Sequence, residues 1–147
     1  MKYRAYLDGK AVAENLDTPK YNHTGLEPNK EYSFQFSSYD GDKESPLSEA
    51  LVAKTKPMVP TGVTMTPATL TLKVGAKSTP TVKVNPAKAT DKTVKYASSK
   101  PAVASVSAAG LITALTEGSA DITVKTTDGN KTAVCKVTVV APEEPIE

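Results

Sequence analysis

The side chains able to do chemistry are few and scattered. His23 is the one histidine, and no second ligand stands at a metal-site spacing around it, so it reads as a satisfied or exposed strand histidine. Cys135, the one cysteine, has no basic neighbour close in sequence, and no intrachain disulfide can form. Its alternation with Val137 and Val139 places it on the inward face of a strand, as an inert core thiol. Ser98 and Ser99 lack a Gly-x-Ser-x-Gly setting, and no spare histidine exists for a triad; their expected role is to bond the turn into Lys100-Pro101. Asp40-x-Asp42-x-Glu44 could set three carboxylates round a calcium ion, since hard cations need several oxygens converging from a loop. A solvated turn, its charges held apart by Lys43, is preferred because the loop has no further acceptors. No phosphate-binding glycine loop, basic run or aromatic stacking platform occurs. The expectation is a protein with no catalytic residue, cofactor or metal, hence not an enzyme.

What positions these residues is a chain of short strands. Val and Thr are abundant, tryptophan is absent, and 11 prolines with 8 glycines punctuate the 147 residues, which favours strands and turns over helices. The 18 basic and 16 acidic side chains leave a formal charge of +2, too balanced for a nucleic-acid or membrane-surface protein. No stretch approaches the ~20 apolar residues of a membrane helix, so no membrane insertion is expected, and the N-terminus lacks the apolar run of a secretory signal. If Met1 is the true start, the product stays in the cytosol unless something other than secretion carries it out.

Lys2 to Leu7 alternates, Asp8-Gly9 is a two-residue hairpin signal, and Lys10 to Glu14 returns. A loop containing Pro19 leads to Tyr21-Asn22-His23-Thr24. Tyr32, Phe34, Phe36 and Ser38 share one face of the next strand, Asp40-Gly41-Asp42-Lys43 turns it, and Ala50 to Thr55 is a last strand before Lys56-Pro57. The run Gly25-Leu26-x-Pro28-x-x-x-Tyr32 closely resembles the corner of a fibronectin type III domain. That resemblance implies that Tyr32 begins a strand, with its hydroxyl bonded back to the corner and its ring in the core.

By the same resemblance residues 1–56 are a partial domain. They supply the third strand onward, and the first two strands have no counterpart, where a complete sandwich takes about 100 residues. The apolar face of Tyr3, Ala5, Leu7, Tyr32, Phe34 and Phe36 is then left partly uncovered, and Tyr3, Leu7, Phe34 and Phe36 are candidate assembly-interface residues. Three arrangements account for this: another chain supplies strands or an apolar surface, the half-domain is itself an assembly interface, or the chain is a fragment of a longer protein.

Residues 57–62 hold two prolines and no periodicity, and read as a short, stiff linker. Strands are then expected near Val63 to Met65, Leu70 to Val74, Ser78 to Asn85, Thr93 to Ala97, Val103 to Ser107, Leu111 to Ala114, Ala120 to Thr126 and Thr132 to Val140. Gly110, Glu117-Gly118 and Asp128-Gly129-Asn130 are the expected turns. The series Ser98-Ser99, Val103-Ala104-x-Val106, Gly110-x-Ile112-Thr113-Ala114, Gly118-x-Ala120-x-Ile122 and Cys135-x-Val137-x-Val139 resembles the group-2 bacterial immunoglobulin-like domain, over about Val63 to Val140. That family usually carries Trp before the Ser-Ser pair; here Tyr96 stands there, at some cost in buried area.

The fold expected is all-β: two Ig-like β-sandwich modules in tandem, the first lacking its first two strands. The boundaries are 1–56, a linker 57–62, the Ig-like domain 63–141 and an acidic tail 142–147. The resemblance implies a binding or structural role. One reading is a phage virion component, capsid or tail, whose first module docks on other virion proteins or on copies of itself. Its Ig-like module would be displayed at the virion surface for weak adhesion to host cell-surface glycan or protein. The other is a set of accessory adhesion domains of a bacterial cell-surface protein or cell-wall enzyme.

Overall fold

The computed structural model describes residues 1–143, and among them every regular element is a strand. Of the expected acidic tail, residues 144–147 lie outside the described residues. The chain divides into two compact units, Met1–Pro57 and Met58–Glu147.

The first unit is one antiparallel sheet. Its strands are β1 (Lys2–Leu7), β2 (Lys10–Leu16), β3 (Glu31–Asp40), β4 (Lys43–Glu44) and β5 (Leu51–Lys54), in the order β2-β1-β3-β4 with β5 also on β3. The β1–β2 hairpin closes as expected, because Asp8 and Gly9 take φ of 50° and 77°, the left-handed pair that a tight hairpin with right-twisted arms demands. The Asp8 carboxylate also accepts a bond from the Ser33 N–H at 2.9 Å, tying the turn to β3. Tyr32 is buried, and its hydroxyl accepts a 3.0 Å bond from the Glu27 N–H, which is the corner expected from Gly25-Leu26-x-Pro28. Tyr32→Phe keeps the ring and removes that acceptor; the expected cost is about 1 kcal/mol. A lowered urea midpoint in near-ultraviolet circular dichroism measures it, since five of the six tyrosines and both phenylalanines belong to this unit.

Within Met1–Pro57 this is the one sheet. Ala5 and Tyr32 are its only fully buried apolar residues.

The second unit is layered. Its strands are β6 (Gly62–Thr66), β7 (Thr69–Lys73), β8 (Lys77–Ser78), β9 (Thr81–Asn85), β10 (Val94–Ser98), β11 (Ala104–Val106), β12 (Ile112–Ala114), β13 (Gly118–Thr126) and β14 (Thr132–Val140). One sheet runs β10-β13-β14-β7, with β7 parallel to β14; β11-β12-β8 and β6-β9 form two smaller sheets. Alternation decides what is inside: Ala120, Ile122 and Val124 of β13 and Cys135, Val137 and Val139 of β14 are buried. They pack with Val63, Met65, Ala104, Ile112 and Ala114 in one core.

Three expectations need correction. Ser78 to Asn85 is not one strand: β8 pairs with β12 and β9 pairs with β6, so the chain changes partners at Thr79-Pro80, where proline has no N–H for a ladder. Gly118 does not belong to a turn but opens β13 opposite Val139. Met58–Thr61, expected as linker, is held by the second unit. Met58 and Thr90 exchange bonds of 2.9 and 2.8 Å, Thr61 donates to Asn85 O at 2.8 Å, and Pro60 is buried.

Candidate interaction site

The two faces of the first unit's sheet differ in chemistry because strand side chains alternate. On one face β1 and β3 bring Arg4 beside Ser37 and Tyr6 beside Gln35. Glu44 of β4 collects this face. Its carboxylate takes Arg4 Nη1 at 2.5 Å, the Tyr6 hydroxyl at 2.7 Å and the buried Ser37 hydroxyl at 2.5 Å. Arg4 Nε lies 3.0 Å from Glu14, and its guanidinium sits over the Tyr39 ring at 5.1 Å. The Ser37 bond, then the Tyr6 bond and then Arg4 hold the Glu44 carboxyl below the usual carboxylate range.

A carboxylate depressed in the folded state stabilises above its unfolded pKa of about 4.3 and stops doing so as pH falls through its folded value. The urea midpoint of the first unit is therefore expected to fall on the acid side of about pH 4.3, and Glu44→Gln to flatten that limb. An unchanged acid limb in Glu44→Gln would contradict the network. The same bonds engage both oxygens of the Glu44 carboxylate within the chain. Among the described residues, no three potential metal ligands converge there or elsewhere.

The opposite face is apolar. Ala5 stands against Phe36 and Leu7 against Phe34 in the β1–β3 register. With Val12, Leu51 and the segment Pro19–His23 these line a groove of about 670 Å³. Phe34 and Phe36 are only half-buried, and Leu51 is 68% exposed. Of the candidate interface residues, Leu7, Phe34 and Phe36 meet in this groove. Tyr3 does not line it; it lines a shallower neighbouring depression that shares Phe36 and Pro19 with the groove. Tyr32 is buried, its ring in the core as the corner resemblance implies, and so adds nothing to the uncovered face.

Sequence reasoning missed the part played by Pro19–His23. Tyr21 and His23 bring their rings to 5.7 Å in a T-shaped arrangement, and the half-buried His23 has its Nδ1 buried without a hydrogen-bond partner. The signal available was the spacing of Tyr21 and His23, two residues apart beside an uncovered sheet. In the second unit Ser98 donates to Ala104 O at 2.6 Å and Ser99 accepts from Asp121 N at 2.8 Å. Cys135 is fully buried, and burial pushes its thiol up.

The second unit's facing sheets are those of an Ig-like β-sandwich. The chain belongs to the bacterial Ig-like domain (group 2) family, whose model matches residues 59–137. Over 100 residues, 67% of this chain, it is 47% identical to an Ig-like virion protein of Serratia phage KSP90. That match is longer than Met58–Glu147, so it takes in part of the first unit. The match spans 36% of the phage protein's length, so this chain corresponds to about a third of that relative.

Among solved structures the chain is similar to domains 4 and 5 of the S-layer protein SbsC, at 23% identity and a TM-score of 0.51, over 77% of this chain and 66% of that one. It is also similar to Drosophila N-cadherin EC1-4, at 14% identity and a TM-score of 0.53, over 97% of this chain and 41% of that one. At these identities the likeness is one of fold.

Proposed function

We propose that the chain is a non-enzymatic structural protein of a phage virion, located at the particle surface. The first unit docks on other virion proteins, capsid or tail, through Leu7, Phe34 and Phe36, with Tyr3 at the margin. The Ig-like unit is displayed outward for weak adhesion to cell-surface glycan or protein. The observation that carries docking is the one-sheet first unit, whose own sheet leaves its apolar face open. The identity to an Ig-like virion protein supports the particle.

An apolar face of this kind gains about 25 cal/mol for each Å² it hides, before ordering costs. The polar face, by contrast, is occupied with its own Arg4–Glu44 network and has little to gain from a partner. Mass spectrometry of purified particles tests the proposal, together with antibody labelling against the Ig-like unit on intact particles. The chain is expected in stoichiometric amounts and accessible to antibody. Its absence from particles would overturn the assignment.

A further inference from the structure

We infer that the occupant of the groove is an extended strand of another polypeptide, pairing through its backbone with Tyr21–Thr24 and seating alternate apolar side chains against Leu7, Phe34 and Phe36. This rests on the docking reading above and names the chemistry of the partner. The first support is unmet hydrogen bonding. Among the described residues, the backbone N–H and C=O groups of Tyr21, Asn22, His23 and Thr24 bond to no other protein group, while β1 and β3, which carry Leu7, Phe34 and Phe36, are each paired on both sides. Tyr21 and His23 point the same way at a spacing of two, as in a strand. A segment outside the sheet with open backbone groups beside an apolar groove offers a place for strand addition.

The second support is charge. Lys20 is the one charged side chain lining the groove and no carboxylate faces it, so the complementary strand is apolar on its inward positions, with an acidic residue opposite Lys20.

The test uses the full chain and a panel of synthetic ten-residue peptides that alternate Val, Ile or Phe with Thr and carry one Glu at each polar position in turn. At least one is expected to bind, to slow amide exchange of Tyr21–Thr24 tenfold or more, and to lose binding at least tenfold when N-methylated at alternate residues. Failure of the whole panel overturns the inference. So does binding that survives N-methylation, which would mark a pocket for apolar groups without strand pairing. Concentration-dependent protection of Tyr21–Thr24 in the chain alone would assign the groove to a second copy and overturn it as well. Particle incorporation of Phe34→Asp is measured alongside. Lost incorporation with N-methylation-insensitive peptides keeps docking and removes the strand, while intact incorporation removes docking itself.

Discussion

Phe34→Asp is expected to abolish incorporation of the chain into particles while leaving the Ig-like unit folded. Phe34 faces Leu7 across the β1–β3 pair and lines the open groove, and only Ala5 and Tyr32 of its unit are buried apolar residues. A docked Phe contributes about 1.5–3 kcal/mol by burial. A carboxylate in its place adds the cost of removing an unpaired charge from water, several kcal/mol. The sum exceeds about 4 kcal/mol, a thousandfold or more in affinity. Phe36→Asp should behave alike. The folding control is Tyr96, the one tyrosine of the second unit, whose signal should be unchanged. Incorporation of the variant at wild-type occupancy would show that docking uses another surface.

Gly129→Ala is expected to be the most damaging small substitution in the second unit. Gly129 has φ +72°, and a Cβ there would stand 2.6 Å from the carbonyl oxygen of Pro60, a fully buried residue. Its loop is pinned on both sides: Lys131 N–H donates to the Thr126 hydroxyl at 2.8 Å, and Thr126 N–H donates to Lys131 O at 2.8 Å. Left-handed backbone costs Ala about 1–2 kcal/mol, and the clash with backbone cannot be relieved by a rotamer change, so about 3 kcal/mol is expected in all. For a domain of this size that lowers Tm by more than about 10 °C. Gly75→Ala is the matched control. It has φ +86° with open space around the added carbon, so it bears the backbone term alone. Equal losses in the two variants would show that the Pro60 contact does not matter. Gly110→Ala should fall between, because the obstacle there is the Tyr96 ring at 2.8 Å, a side chain that can shift.

What was legible in the sequence follows from how local each cause is. Asp8-Gly9 announces a hairpin because two adjacent residues must both adopt positive φ. Tyr32 announces its corner because the acceptor and donor lie five residues apart. The alternation of β13 and β14 showed which residues fill the core, Cys135 included. The split at Pro80 was harder to see, since Ser78 and Val82 both fit an alternating strand and only the missing proline N–H marks the change of sheet.

The candidate site was half legible. Leu7, Phe34 and Phe36 declare one face by period two, but the side chains completing the groove come from a loop. Nothing local says that Tyr21 and His23 join the residues of β1 and β3 in lining it. Glu44 was misleading for the same reason. Asp40 and Asp42 are its neighbours along the chain, whereas its partners, Arg4 and Tyr6, come from a strand 38 to 40 residues earlier and are set by register.

The central claim, that the first unit's open apolar face is what meets the particle, is tested most directly by hydroxyl-radical footprinting of Leu7, Phe34 and Phe36 in the free chain and in intact particles. Labelling of all three is expected in the free chain, with strong protection of all three on the particle and little change at Tyr96. Equal labelling in the two states would contradict the claim.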